Sequence, residues 1–66
     1  MIFMTKSGSL YVVNEERKTI RGGIFQNATA YTKCCAIIGE RGCIELADGR
    51  VCNTSVVERY LGVGSL

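Results

Sequence analysis

The chain has 66 residues, 47% of them hydrophobic and 21% charged, and it contains neither proline nor histidine. That length allows one domain, which at about 60 residues buries only about 60% of its unfolded surface. Without histidine, every imidazole base, dyad or metal ligand is excluded. The net charge of +2 and a pI near 8.4 fall short of the strongly basic balance, with a pI above about 9, of a dedicated nucleic-acid binder.

From the amino end, Ile2–Thr5 and Ser9–Val13 are short β-type runs flanking Lys6-Ser7-Gly8. A two-residue tip at Ser7-Gly8 predicts Thr5 opposite Leu10 and Phe3 opposite Val12. Asn14–Arg17 is polar and turn-like, Lys18–Arg21 runs back, and Gly22-Gly23 stops that strand. Ile24 to Ala30 has no clean period and is expected to be a loop. Tyr31 to Ile38 is apolar and rich in β-formers, so strand is favoured over a helix capped by Asn27. A turn at Glu40-Arg41 leads into Cys43–Ala47, and Asp48-Gly49 signals a second tight hairpin into Arg50–Thr54. The tail admits either a helical turn over Val56–Leu61, with capping-box spacing at Ser55 to Glu58, or a sixth strand.

These registers predict which residues face inward, because alternate strand residues share a face. Ile2, Met4, Tyr11, Val13 and Ile20 form one half of the expected core. Cys35, Ile37, Ile44, Leu46 and Val51 form the other. Phe3, Leu10 and Val12 then lie on the outside, with Ala36 and Ile38 on the back of the second sheet. Together with an apolar tail over residues 60–66, that surplus predicts a homo-oligomer in which the tail packs on a second chain. The expected architecture is all-β: one antiparallel SH3-like or OB-like barrel of five or six strands, with the C-terminal helical turn as its one optional addition.

Four cysteines raise the question of zinc or disulfides. Cys34 and Cys35 are adjacent, so on a strand they point to opposite faces, and no Cys-x-x-Cys knuckle is present. The expected register puts Cys34, Cys43 and Cys52 on one face, with Cys43 and Cys52 diagonal and too far apart for a bond. All four are expected to be free thiols without metal, and no cofactor is implied. A catalytic role is not expected, because no nucleophile has a base beside it. The candidate binding residues are Arg21, Gly22 and Gly23, whose paired glycines either make a backbone nest for an anion or merely turn the chain, with Gln26 and Asn27 from the loop that follows. No apolar run approaches the ~20 residues of a membrane span, and the first residues do not resemble a secretory signal. A cytoplasmic location is therefore expected, with no membrane partner.

Thr5-Lys6-Ser7-Gly8-Ser9-Leu10-Tyr11, with Arg21 following, resembles the opening hairpin of small phage and prophage proteins. Gly49-Arg50-Val51-Cys52-Asn53-Thr54-Ser55-Val56-Val57 resembles their closing strand, although no proline follows Thr54-Ser55. The likeness spans about a third of the chain and implies an all-β phage accessory protein acting in the host cytoplasm. The likeness carries no activity of its own. With the apolar surplus and the missing nucleophile–base pair, the function expected is a non-enzymatic, homo-oligomeric binding protein that occupies a host protein or sequesters a small anionic ligand such as a nucleotide, countering host defence. A small nucleic-acid-binding barrel and a structural virion component are the alternatives.

Overall fold

The computed structural model describes residues 1–62, which form six strands and no helix. These are β1 (Ile2–Thr5), β2 (Leu10–Asn14), β3 (Thr19–Gly22), β4 (Phe25–Cys35), β5 (Arg41–Leu46) and β6 (Val51–Gly62). Each strand pairs antiparallel with its neighbour in the chain, and β6 returns to β1, closing a barrel. The architecture is the all-β, small antiparallel barrel expected from the turn spacing, with six strands.

Closure depends on two long strands. The first half of β4 pairs with β3 and its second half with β5; β6 pairs first with β5 and then with β1. Each changes partner near a register irregularity, at Tyr31–Lys33 on β4 and opposite Arg41–Cys43 on β6. Bulges bend a strand and increase its twist, which lets it pass from one sheet to the next. The bend in β6 is held by Thr54, whose Oγ1 accepts the Gly42 N–H at 2.9 Å and donates to the Ser55 carbonyl at 2.7 Å. Arg41 adds a bond from Nε to the Thr54 carbonyl at 3.0 Å.

Two hairpin registers differ from expectation for a common reason. The first loop has three residues, Lys6-Ser7-Gly8: Gly8 N–H donates to Thr5 O, and Thr5 N–H to Ser9 O. Ala47-Asp48-Gly49 repeats the pattern, with Gly49 N–H donating to Leu46 O and Leu46 N–H to Arg50 O. Gly8 and Gly49 take φ of 88° and 93°, the left-handed third position of a three-residue hairpin loop. One extra loop residue shifts the pairing by one, and a shift of one exchanges the faces. Phe3 therefore opposes Tyr11 and is fully buried, whereas Ile2 and Met4 are half-buried outside. Val51 opposes Glu45 and is exposed. The β4–β5 connection is also longer than expected, with Cys35 opposite Cys43, so Cys35 and Ile37 are exposed rather than in the core.

The core comprises Phe3, Tyr11, Val13, Ile20, Phe25, Tyr31, Ile44, Leu46 and Val57. Phe3 stacks on Tyr11 with ring centroids 5.0 Å apart, and Tyr11 meets Phe25 edge-on at 6.2 Å. Offset and edge-on pairs add about 0.5–1.5 kcal/mol to the burial of the rings themselves. The segment expected as a loop, Ile24–Ala30, is strand from Phe25 onward, and no helix forms over Ala28–Ile38. Val56–Leu61 is strand as well, so the helical alternative for the tail is set aside. Tyr60 and Gly62 pair with Phe3 and Ile2 of the same chain. The remainder of the expected tail contact, residues 63–66, lies outside the described residues.

Candidate functional site

The five residues singled out from the sequence sit on one ribbon, the β3–β4 hairpin, but the structure divides them between its two sides. Gly22 ends β3 and Gly23 opens the two-residue tip with Ile24, and the conformation of both glycines has a local cause. A Cβ on Gly22 would lie 2.2 Å from the Leu10 carbonyl oxygen, and one on Gly23 only 2.1 Å from Cζ of Tyr11. Both glycines have positive φ, which L side chains rarely adopt. The tip thus folds down onto the Tyr11 ring, and the Tyr11 hydroxyl accepts the Ile24 N–H at 3.3 Å. Close approach to the Leu10 carbonyl requires the first glycine and packing on the Tyr11 ring the second, and the Ile24 N–H is already engaged.

Beyond the tip, β4 departs from β3. Ile20 pairs with Thr29 and Gly22 with Phe25, so Gln26, Asn27 and Ala28 together face the single residue Arg21. The three are exposed. On the other side of this bulge, β4 and the β5–β6 hairpin diverge before joining at the Ala47 N–H to Ala30 O bond of 3.0 Å. A groove of about 370 Å³ opens there at the mouth of the barrel. Phe25, Leu46 and Cys52 supply its apolar surface, while Gln26, Asn27 and Arg50 supply polar groups. Thr29 also lines it and donates from Oγ1 to the Asn27 carbonyl at 2.9 Å, which fixes the backbone between the two amides.

Arg50 is held in place by its own turn. Its N–H and its Nε donate to the two carboxylate oxygens of Asp48, at 3.0 and 2.8 Å. The backbone bond from Arg50, more than the guanidinium, keeps the Asp48 carboxyl below its ordinary range. Both side chains are largely in water, so the pair contributes to orientation more than to stability.

Arg21 faces a second, smaller groove on the outside of the barrel, together with Val12, Asn14, Arg17 and Thr19. Gln26 and Asn27 are thus united with Arg50 rather than with Arg21. Sequence reasoning missed Phe25, Leu46, Cys52 and Arg50 as co-lining residues, because reading 24–30 as a loop removed the strand that brings them together. Arg17 was passed over as a turn residue.

The cysteines fall in a pattern different from the expected one. Cys34 and Cys52 lie on either side of Ile44, which pairs with both, and pack against the core. Cys43 is on the opposite face, across from Cys35. All four are free thiols. Among the described residues, no group of three or more acidic, cysteine or histidine side chains is placed to hold a metal ion, and no helix is long and apolar enough to cross a membrane. The chain matches no family model, no curated protein and no solved structure.

Proposed function

We propose that this chain is a non-enzymatic binding protein whose ligand is a small, flat molecule with a hydrogen-bonding edge, such as a nucleobase or its nucleotide, seated at the barrel mouth. One observation carries the reading: a groove of about 370 Å³ with Phe25, Leu46 and Cys52 on its apolar side and the amides of Gln26 and Asn27 beside them. Ligand sites are typically concave and 300–1,000 Å³ in volume, and barrel mouths are a favoured location; the lining of this groove is mixed, slightly more polar than apolar. Each amide side chain offers both donors and an acceptor, the combination needed to meet a heterocycle's edge. Arg50 stands at the same groove with cationic N–H groups for a phosphate, although Asp48 already occupies its Nε. The ionisable lining is Arg50 and Cys52, which suits retention of a ligand rather than its turnover. The phage accessory role implied by the terminal hairpins is compatible with sequestration of such a molecule.

Self-association is the second part of this reading. Ile37 and Ile38 are 54% and 51% exposed, and the Tyr60 hydroxyl donates to the neighbouring Ala36 carbonyl, placing more apolar surface beside them.

Cys52 provides the test. In the presence of excess AMP, GMP, CMP or UMP, iodoacetamide should modify Cys52 more slowly with at least one nucleotide, while the rate at exposed Cys35 stays constant. Equal Cys52 rates with and without all four would refute the nucleotide reading.

A further inference from the structure

The outer groove behind the β4 bulge has a chemistry of its own. It measures about 270 Å³ and is lined by Val12, Asn14, Arg17, Thr19, Arg21 and Ala28. Pairing explains how these residues meet. Val12 opposes Arg21 and Asn14 opposes Thr19, so two adjacent cross-strand pairs of one face are brought together. Ala28, whose side chain is small, leaves the space beside Arg21 open.

The turn between β2 and β3 adds the second arginine. Asn14 Oδ1 accepts the Arg17 N–H at 3.0 Å, which anchors the turn and leaves the Asn14 amide nitrogen available. Lys18 then takes φ of 55°, a left-handed conformation uncommon for a residue with a side chain. Its carbonyl accepts the Tyr31 N–H, and its ammonium lies 5.9 Å from the centre of the Tyr31 ring. The two neighbouring cations are thereby sorted: Lys18 to Tyr31, Arg17 to the groove.

No carboxylate lines this groove, and Glu15 and Glu16 from the same turn do not reach its lining. Among the described residues the guanidinium groups of Arg17 and Arg21 form no ion pair, unlike Arg50 with Asp48. Two guanidinium groups, an amide nitrogen and the Thr19 hydroxyl make a lining whose polar side chains all present N–H or O–H donors. Like charges facing one cleft repel, and an oxyanion between them reverses the sign of that interaction. Guanidinium forks match phosphate oxygens in two-pronged fashion.

We infer that the Arg17–Arg21 groove is a phosphate-binding site, separate from the barrel mouth and sized for an inorganic phosphate or pyrophosphate group on a small molecule. It uses Arg21, as the sequence suggested, but with Arg17, Asn14 and Thr19 in place of a glycine nest. The two grooves lie on opposite sides of the Gln26–Ala28 bulge and involve no common side chain.

The test is calorimetric titration of the full chain with sodium pyrophosphate at low ionic strength, repeated for Arg17→Ala, Arg21→Ala and Lys33→Ala. Saturable binding is expected, weakened about tenfold or more by each arginine change and unaltered by Lys33→Ala. Amide signals of Asn14 and Thr19 should shift on binding. Absence of saturation, or equal weakening by Lys33→Ala, would overturn the site in favour of general attraction to a cationic surface. Short single-stranded DNA forms a second arm: binding of DNA through these arginines without saturation by pyrophosphate would also overturn it. Cys52 alkylation should be unaffected by pyrophosphate, so this result and that of the nucleotide test are independent.

Discussion

Gly42 lies against the bend in β6, where Thr54 occupies the space a side chain would need. A Cβ there would be 2.5 Å from Thr54 Oγ1, the same oxygen that accepts the Gly42 N–H. Thr54 is fully enclosed and cannot rotate away without abandoning two hydrogen bonds. Gly42→Ala should therefore cost about 1–3 kcal/mol through overpacking, read as a lower urea midpoint; an unchanged midpoint would show that the bend yields freely. Cys34 offers a pH-dependent test. Burial first, then the Cys35 thiol, Glu15 and Cys43, push its thiol up to about 11, against a smaller opposing effect of the amino terminus. The folded chain then holds this proton to higher pH than the unfolded chain does. The contribution is complete below the ordinary thiol value near 9 and is lost as pH rises from there through about 11. Urea unfolding of the native chain and of Cys34→Ala across that interval should show the steeper decline in the native chain. Parallel declines would contradict the assignment.

The hairpins explain at element scale why part of the core was legible and part was not. Tyr11, Val13, Ile20, Ile44 and Leu46 are inward, as alternation within β2, β3 and β5 indicates. Their partners Phe3, Cys52 and Cys34 depend on loop length, and a Gly-terminated loop reads equally well as two residues or three. Choosing two reversed the face of β1 and of the start of β6, and with it the apparent surplus of Phe3 outside. The β4 bulge was illegible for another reason: Gln26 to Ala28 is polar and small, a composition shared by loops and by strands that line an open groove. Glycine replacements separate the two kinds of turn. Gly8 needs only its left-handed φ, with open space around it, so Gly8→Ala should cost about 1–2 kcal/mol. Gly23→Ala meets the Tyr11 ring as well and should lower the melting temperature considerably more. Equal losses would mean that the tip does not rest on Tyr11.

For the molecule as a whole, the proposed function rests on where the barrel closes imperfectly. β4 and β6 each serve two sheets, and a strand shared in this way must part from one neighbour before meeting the next. The mouth groove is that parting, between the first half of β4 and the β5–β6 hairpin. Gln26 and Asn27 were recognisable as candidates because they follow a glycine turn and carry amides. Their partners across the groove come from positions about 20 to 25 residues later in the chain, and only closure of the sheet unites them. The most direct measurement is a ¹H–¹⁵N correlation spectrum of the full chain titrated with the nucleotide that protects Cys52. Saturable shifts concentrated at Phe25, Gln26, Asn27, Leu46, Arg50 and Cys52 are expected, with Ile37 and Ile38 unmoved. Shifts centred on the β4–β5 turn, or scattered over the barrel without saturation, would contradict binding at its mouth.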